Sequence, residues 1–222
     1  MAETTPDTRR SIVCLILVPS LITLAVTILR LVGELQQWSP VFFNRAAGGG
    51  AAIVGISWLP FLLGPYFALK LSAAGDRPKS TWKALVLVLL GVANGMGGGM
   101  LAYGPPITAA KMFLGHVLIM GGVVFAFFAW CALVKTLLAY GYAARIPVAI
   151  VMFFAIRGSW GTHYDAAPGY PAAAGFGRKY LELAILPQLI FWVAFTILIG
   201  ALFGVTVTAI VRRRRPAGQA SS

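Results

Sequence analysis

Apolar residues run through this chain in blocks long enough to cross a lipid bilayer, separated by short links rich in charge, glycine or proline. A helix needs about 20 mainly apolar residues to span the hydrocarbon core, and a backbone exposed to lipid must close its own hydrogen bonds. Five blocks meet that length: Ser11 to Val32, Gly50 to Leu71, Lys83 to Tyr103, Phe113 to Val134 and Ala184 to Val211. A sixth, 145–160, is shorter. Eleven uncharged residues separate Arg145 from Arg157, a rise of about 17 Å. It reads either as a short span whose terminal arginines reach opposite interfaces or as a surface or re-entrant helix.

The distribution of basic residues decides between the two. With six spans the cytoplasmic side receives Arg9, Arg10, Lys70, Arg77, Lys79, Lys83, Lys135, Arg145 and Arg212 to Arg215, which is twelve of the eighteen Lys and Arg residues. Five spans would put the Arg212 to Arg215 cluster and the Lys70 to Lys83 loop on opposite sides, against the positive-inside tendency. The expectation is an all-α polytopic integral membrane protein with six transmembrane helices (11–32, 50–71, 83–103, 113–134, 145–160, 184–211) and cytoplasmic N and C termini. It forms one domain over 1–222, with an external loop at 158–179 and a basic cytoplasmic tail at 212–222.

The links fit that scheme. Asp76-Arg77-Pro78-Lys79-Ser80 is a charged turn, and Tyr103-Gly104-Pro105-Pro106 stops the third helix. The loop 158–179 carries seven glycines or prolines with Trp160, His163, Tyr164 and Asp165. Pro60 and Pro65 should kink the second helix. Arg9 and Arg10 before an apolar run resemble the start of a signal peptide, but Ile12 to Leu29 is too long for an ordinary h-region and no small-x-small site follows before Glu34. An uncleaved first helix is expected.

Composition agrees: 59% of residues are hydrophobic and 11% charged, which a water-facing shell does not allow in 222 residues. The net charge of +12 and pI near 10.3 would suggest nucleic acid in a soluble protein. Here the basic residues flank apolar runs, so anionic lipid head groups on the cytoplasmic side are the expected partner and nucleic acid is not. Cys14 and Cys131 have no metal-like or CxxC spacing and read as small buried hydrophobes. The expected location is a cell membrane, plasma or bacterial inner.

Two groups of residues could carry function. Gly91, Asn94, Gly95, Gly98, Gly99 and Ala102 follow the spacing of one helical face. Such a face lets another backbone come close and lets Asn94 bond across the contact. It suits packing within the chain, a seam to a second copy or another membrane protein, or a surface facing substrate. The second group is polar and gathers toward the external half: Arg30, Glu34, His116, Arg157, His163, Asp165 and Glu182. Snorkelling explains such positions without function, whereas ionisable groups pointing inward would mark a site. Pairing is expected between Glu34 or Glu182 and Arg30, Arg157 or Arg178.

Enzyme signatures are missing: there is no GxSxG, P-loop, HExxH or strand-borne GxGxxG. No catalytic residue, metal ligand or cofactor is assigned. The first functional reading is a non-catalytic accessory or structural membrane component. The alternative is a small transporter or channel using the third-helix face and the polar cluster. Last comes a haem or metal enzyme built on His116 and His163, which two ligands alone would leave incomplete.

Overall fold

The computed structural model describes residues 6–49, 52–171 and 173–213, and among them every regular element is helical. Among the described residues five helical stretches are long and apolar enough to cross a membrane: Ile12–Leu35, Thr81–Tyr103, Ala109–Ala129, Cys131–Gly158 and Phe176–Arg212. We label the helices α1 (Pro6–Leu35), α2 (Leu59–Ala73), α3 (Thr81–Tyr103), α4 (Ala109–Ala129), α5 (Cys131–Gly158), α6 (Phe176–Tyr180) and α7 (Trp192–Arg213).

Local chemistry explains the boundaries. Ser80 caps α3 by accepting from Lys83 N–H, and Thr108 caps α4 by accepting from Lys111 N–H. The Lys111 ammonium turns back to the Gly104 and Pro106 carbonyls, both at 3.0 Å, closing the link between α3 and α4. Pro19 lies inside α1, where the Thr23 hydroxyl donates to its carbonyl at 2.8 Å. Between α6 and α7 the backbone widens into two π-helical turns, Leu181–Ile185 and Pro187–Phe191. Pro187 has no N–H to give the preceding turn. Around it the ladder runs over five residues, from Leu186 N–H to Leu181 O and from Trp192 N–H to Pro187 O.

Four expected spans are redrawn. The second begins at Leu59, not Gly50, which lies outside the described residues. Residues 52–58 are irregular, with Ile53 and Val54 N–H donating to the Val41 and Phe42 carbonyls. Pro60 therefore falls in the first turn of α2, where its missing N–H costs nothing, and only Pro65 is interior. The fourth span ends at Ala129, and after the single non-helical residue Trp130 the chain enters α5 and stays helical to Gly158. The expected loop near 135–144 is thus helix, with Lys135 exposed on its flank. The last span starts at Phe176 instead of Ala184, shortening the preceding loop. Of the basic tail, Arg212 is described, while Arg214 and Arg215 lie outside the described residues.

The chain divides into two compact units, one within Met1–Leu59 and Ala139–Val193, the other within Pro60–Leu138 and Ala194–Ser222. The first has a core of Val148, Met152, Ala155, Ile156, Tyr164 and Ala184, with Leu31, Ile56 and Val151 packed against it. In the second, α3 and α4 pack backbone to backbone. A Cβ on Gly91 would lie 2.7 Å from Gly122 O, and one on Gly98 would lie 2.6 Å from Gly115 O. Asn94 Nδ2 donates across this contact to Leu118 O at 3.0 Å. Gly95 faces the side chain of Leu198 from α7, and Gly99 and Ala102 are buried on the same face. Gly64 of α2 likewise meets the Gly200 backbone of α7. The small face of the third helix is filled within the chain.

Candidate functional site

Ionisable side chains converge where α1 ends. Arg30 and Glu34 are one turn apart, and Arg30 Nε donates to Glu34 Oε1 at 2.8 Å. Arg30 Nη2 also donates to the Asn44 carbonyl at 3.1 Å. Gly55 makes room for this guanidinium, since a Cβ there would stand 2.9 Å from Arg30 Nη1. Glu34 is 1% exposed, so its charge depends wholly on these partners.

The third member comes from 129 residues away. His163 gives Glu34 two bonds: its backbone N–H to Oε2 at 2.8 Å and its ring Nδ1–H to Oε1 at 2.5 Å. Asp165 holds the histidine in place without touching Glu34. Its Oδ1 accepts from the N–H and hydroxyl of Thr162, and its Oδ2 accepts from Gly161 N–H. The turn uses positive φ at Gly161, where a glycine is suited to it. Tyr164 packs on the His163 ring at 3.9 Å and donates to the Thr27 carbonyl at 3.4 Å.

Burial holds the His163 pKa below its ordinary 6.5, and the nearby Arg30 charge adds to the effect, together outweighing the stabilising Glu34 and Asp165 carboxylates. The phenol of Tyr164 is pushed up by burial. The cluster is then Arg30 cation, Glu34 anion and neutral His163. Because the folded pKa is depressed, the folded state binds fewer protons than the unfolded chain on the acid side of 6.5. The stability His163 contributes is complete above that value and is lost as pH falls through the folded pKa. Thermal melting in detergent between about pH 7 and pH 5 should show that loss. His163→Asn, which keeps a donor at the Nδ1 position and cannot titrate, should flatten the profile. Identical slopes in the two proteins would show that His163 does not govern it.

The remaining members of the expected polar cluster form separate contacts. Glu182 pairs with Arg178 at 2.8 Å and accepts from the Tyr170 hydroxyl at 2.8 Å. With the Arg178 side chain 71% exposed, that pair adds little stability. Arg157 lines an open cavity of about 640 Å³ with Tyr170, Phe176 and Lys179. His116 donates from Nδ1 to the Met112 carbonyl at 2.7 Å, leaving Nε2 to accept from the Tyr103 hydroxyl at 3.1 Å. Among the described residues no group of three or more His, Cys, Asp or Glu side chains could hold a metal ion.

One residue escaped the sequence reading. Arg145 stands near the middle of α5, not at the end of a short span, and is 5% exposed. Its Nη1 donates to Gln188 Oε1 at 3.3 Å, its guanidinium lies 4.7 Å from the Trp192 ring centroid, and its Nε has no hydrogen-bond partner among the described residues. The available signal was an arginine centred in an apolar helix, masked by Lys135, which made the preceding stretch look like a loop.

Comparison with protein-family models, curated proteins and solved structures returned no match, so the residues themselves carry the functional argument.

Proposed function

We propose that this chain is a six-crossing component of a cell membrane, with both termini cytoplasmic, acting as a non-catalytic accessory or structural subunit. The observation that carries the reading is that polar groups at three places in or beside the helices are engaged within the fold. Glu34 is enclosed by Arg30 and His163, Asn94 binds a backbone carbonyl, and His116 is held by Tyr103 and Met112. Such groups hold a fold together and leave little to offer a passing substrate.

Parity supports six crossings. The ends of α1 and α5 meet through Glu34 and His163, so these helices run in the same sense. If both cross, an odd number of crossings must separate them. Helices α3 and α4 are long enough for two, and on this reading the shorter α2, with the apolar residues before it, makes the third. The α2–α3 link is joined to Trp130 by the Asp76 bond at 2.7 Å, and Thr81 to Arg212 at 3.0 Å. Lys70, Arg77, Lys79, Lys83, Lys135 and Arg212 belong to these ends, which favours contact with anionic cytoplasmic head groups. Reporters fused after Ser222 and within 73–79 should report cytoplasm, and one within 166–175 the outside. An external signal from the C terminus would remove the six-crossing arrangement.

The functional test is purification from a mild detergent extract together with a flux screen in proteoliposomes. A stoichiometric membrane-protein partner without flux is expected. A solitary protein that moves a solute would overturn the accessory reading in favour of a small transporter, an alternative favoured by the buried Arg145.

A further inference from the structure

Arg145 lies fourteen residues after Cys131 and thirteen before Gly158, about 20 Å along the helix from either end. At that depth a guanidinium is costly, and it is retained where a partner or ligand compensates it. Among the described residues no carboxylate pairs with it: Glu34 is held by Arg30 and His163, and Glu182 by Arg178. The ionisable groups that act on it are the phenols of Tyr140 and Tyr164, and both hydroxyls already bond to α1, through Thr23 and Thr27. Gln188 supplies one long neutral bond to Nη1, and the Trp192 ring covers the cation. The Nε edge is left unsatisfied.

We infer that Arg145, with Gln188 and Trp192, forms an intramembrane binding site for a monocarboxylate carrying an apolar body. The free Nε edge suits a planar carboxylate, which accepts two parallel N–H bonds from a guanidinium. One negative charge balances the Arg145 cation, whereas a phosphate dianion would exceed it. The indole offers an apolar surface to the rest of the ligand. Access comes through the adjoining segment: Gln188 belongs to the π-helical turn that begins at Pro187, and Trp192 follows it directly. Wide turns of this kind recur at functional sites in helices, and this one carries Gln188 to the Arg145 guanidinium. The inference goes beyond the accessory reading, because a carboxylate can be carried, sensed or simply kept as a structural ligand.

The test uses the full-length protein in a neutral detergent, with sodium benzoate and sodium octanoate as probes and benzyl alcohol and octanol as uncharged counterparts. Calorimetric titration and thermal melting should show saturable binding and stabilisation by the carboxylates beyond any effect of the alcohols. Arg145→Lys should weaken binding by roughly tenfold or more, since the bidentate edge is lost. Arg145→Met should abolish it. Gln188→Glu guards against variants that fail to fold: it places a carboxylate against Nη1, and should raise the melting temperature while removing benzoate binding. No preference for carboxylates over alcohols in the wild type would overturn the site. Unchanged benzoate binding in Gln188→Glu would do the same. Equal, Arg145-dependent binding of inorganic phosphate would overturn the assignment to monocarboxylates. A missing partner in the copurification experiment would leave all of these results standing, so the two readings fail separately.

Discussion

Gly98→Ala destabilises the folded protein by about 1 to 3 kcal/mol, while Gly97→Ala leaves stability unchanged or raises it by up to about 1 kcal/mol. The two positions are adjacent on α3 and share composition, helix and depth. They differ in what a single methyl group would meet. At Gly98 it would lie 2.6 Å from Gly115 O and 2.8 Å from Ile119 N, and neither backbone atom can rotate away. Relief requires α3 and α4 to separate along their seam, loosening the Asn94 bond to Leu118 as well. At Gly97 the methyl meets nothing within 4 Å among the described residues, and alanine is the better helix former. Gly95 should fall between them for small substitutions, because its neighbour is the flexible end of Leu198. Leucine at 95 leaves that side chain nowhere to go, whereas Met96→Leu, at a position 57% exposed, should be tolerated. Melting in mild detergent checks the series. Equal behaviour of Gly97→Ala and Gly98→Ala would show that the seam is loose.

Removing the charge of Glu34 should be the most damaging single change in the other unit. Glu34→Gln keeps shape and volume but strips Arg30 of its carboxylate within a buried setting, and breaking one side of such a pair costs about 3 to 5 kcal/mol. The loss comes chiefly from the cation left behind, not from the value of the pair itself. Arg30→Met combined with Glu34→Gln should therefore recover a large part of the stability lost in Glu34→Gln alone, since no uncompensated charge remains. The loop 159–175 reports the same event independently. It loses one of its two His163 bonds, because the amide nitrogen of glutamine cannot accept, so protease cleavage within it should rise in Glu34→Gln. Additive effects of the two substitutions would show that Arg30 and Glu34 act independently.

The features legible in the sequence are those governed by local periodicity. The apolar run expected over 11–32 appears within α1, and that over 83–103 within α3, because length and polarity alone define a helix in lipid. The small face of α3 follows from i, i+3, i+4 spacing, and the Arg30–Glu34 pair from i, i+4 spacing. Contacts between distant segments were out of reach. Nothing in the spacing says that His163 supplies both a backbone and a ring donor to a carboxylate on α1. The long α5 was obscured for a different reason. Lys135 and Arg145 are charges of the kind that ordinarily flank a span, yet one sits exposed on the helix near its start and the other is buried at its middle. The irregular residues 52–58 are as apolar as a helix, and their departure from helical form depends on pairing with residues 41 and 42. Hydropathy records no such preference.

The seam between α3 and α4 also divides the chain by how freely its codons can drift. On the lipid-facing surface, leucine, isoleucine, valine, methionine and phenylalanine are related by single-base changes and offer the bilayer nearly the same solvent, so neutral paths connect many sequences. At Gly91, Gly98, Gly115 and Gly122 every missense change adds atoms where opposing main-chain atoms already stand. Descendants of this sequence should therefore diverge fastest on the faces that touch lipid and slowest along this line of glycines, whatever use the rest of the molecule acquires.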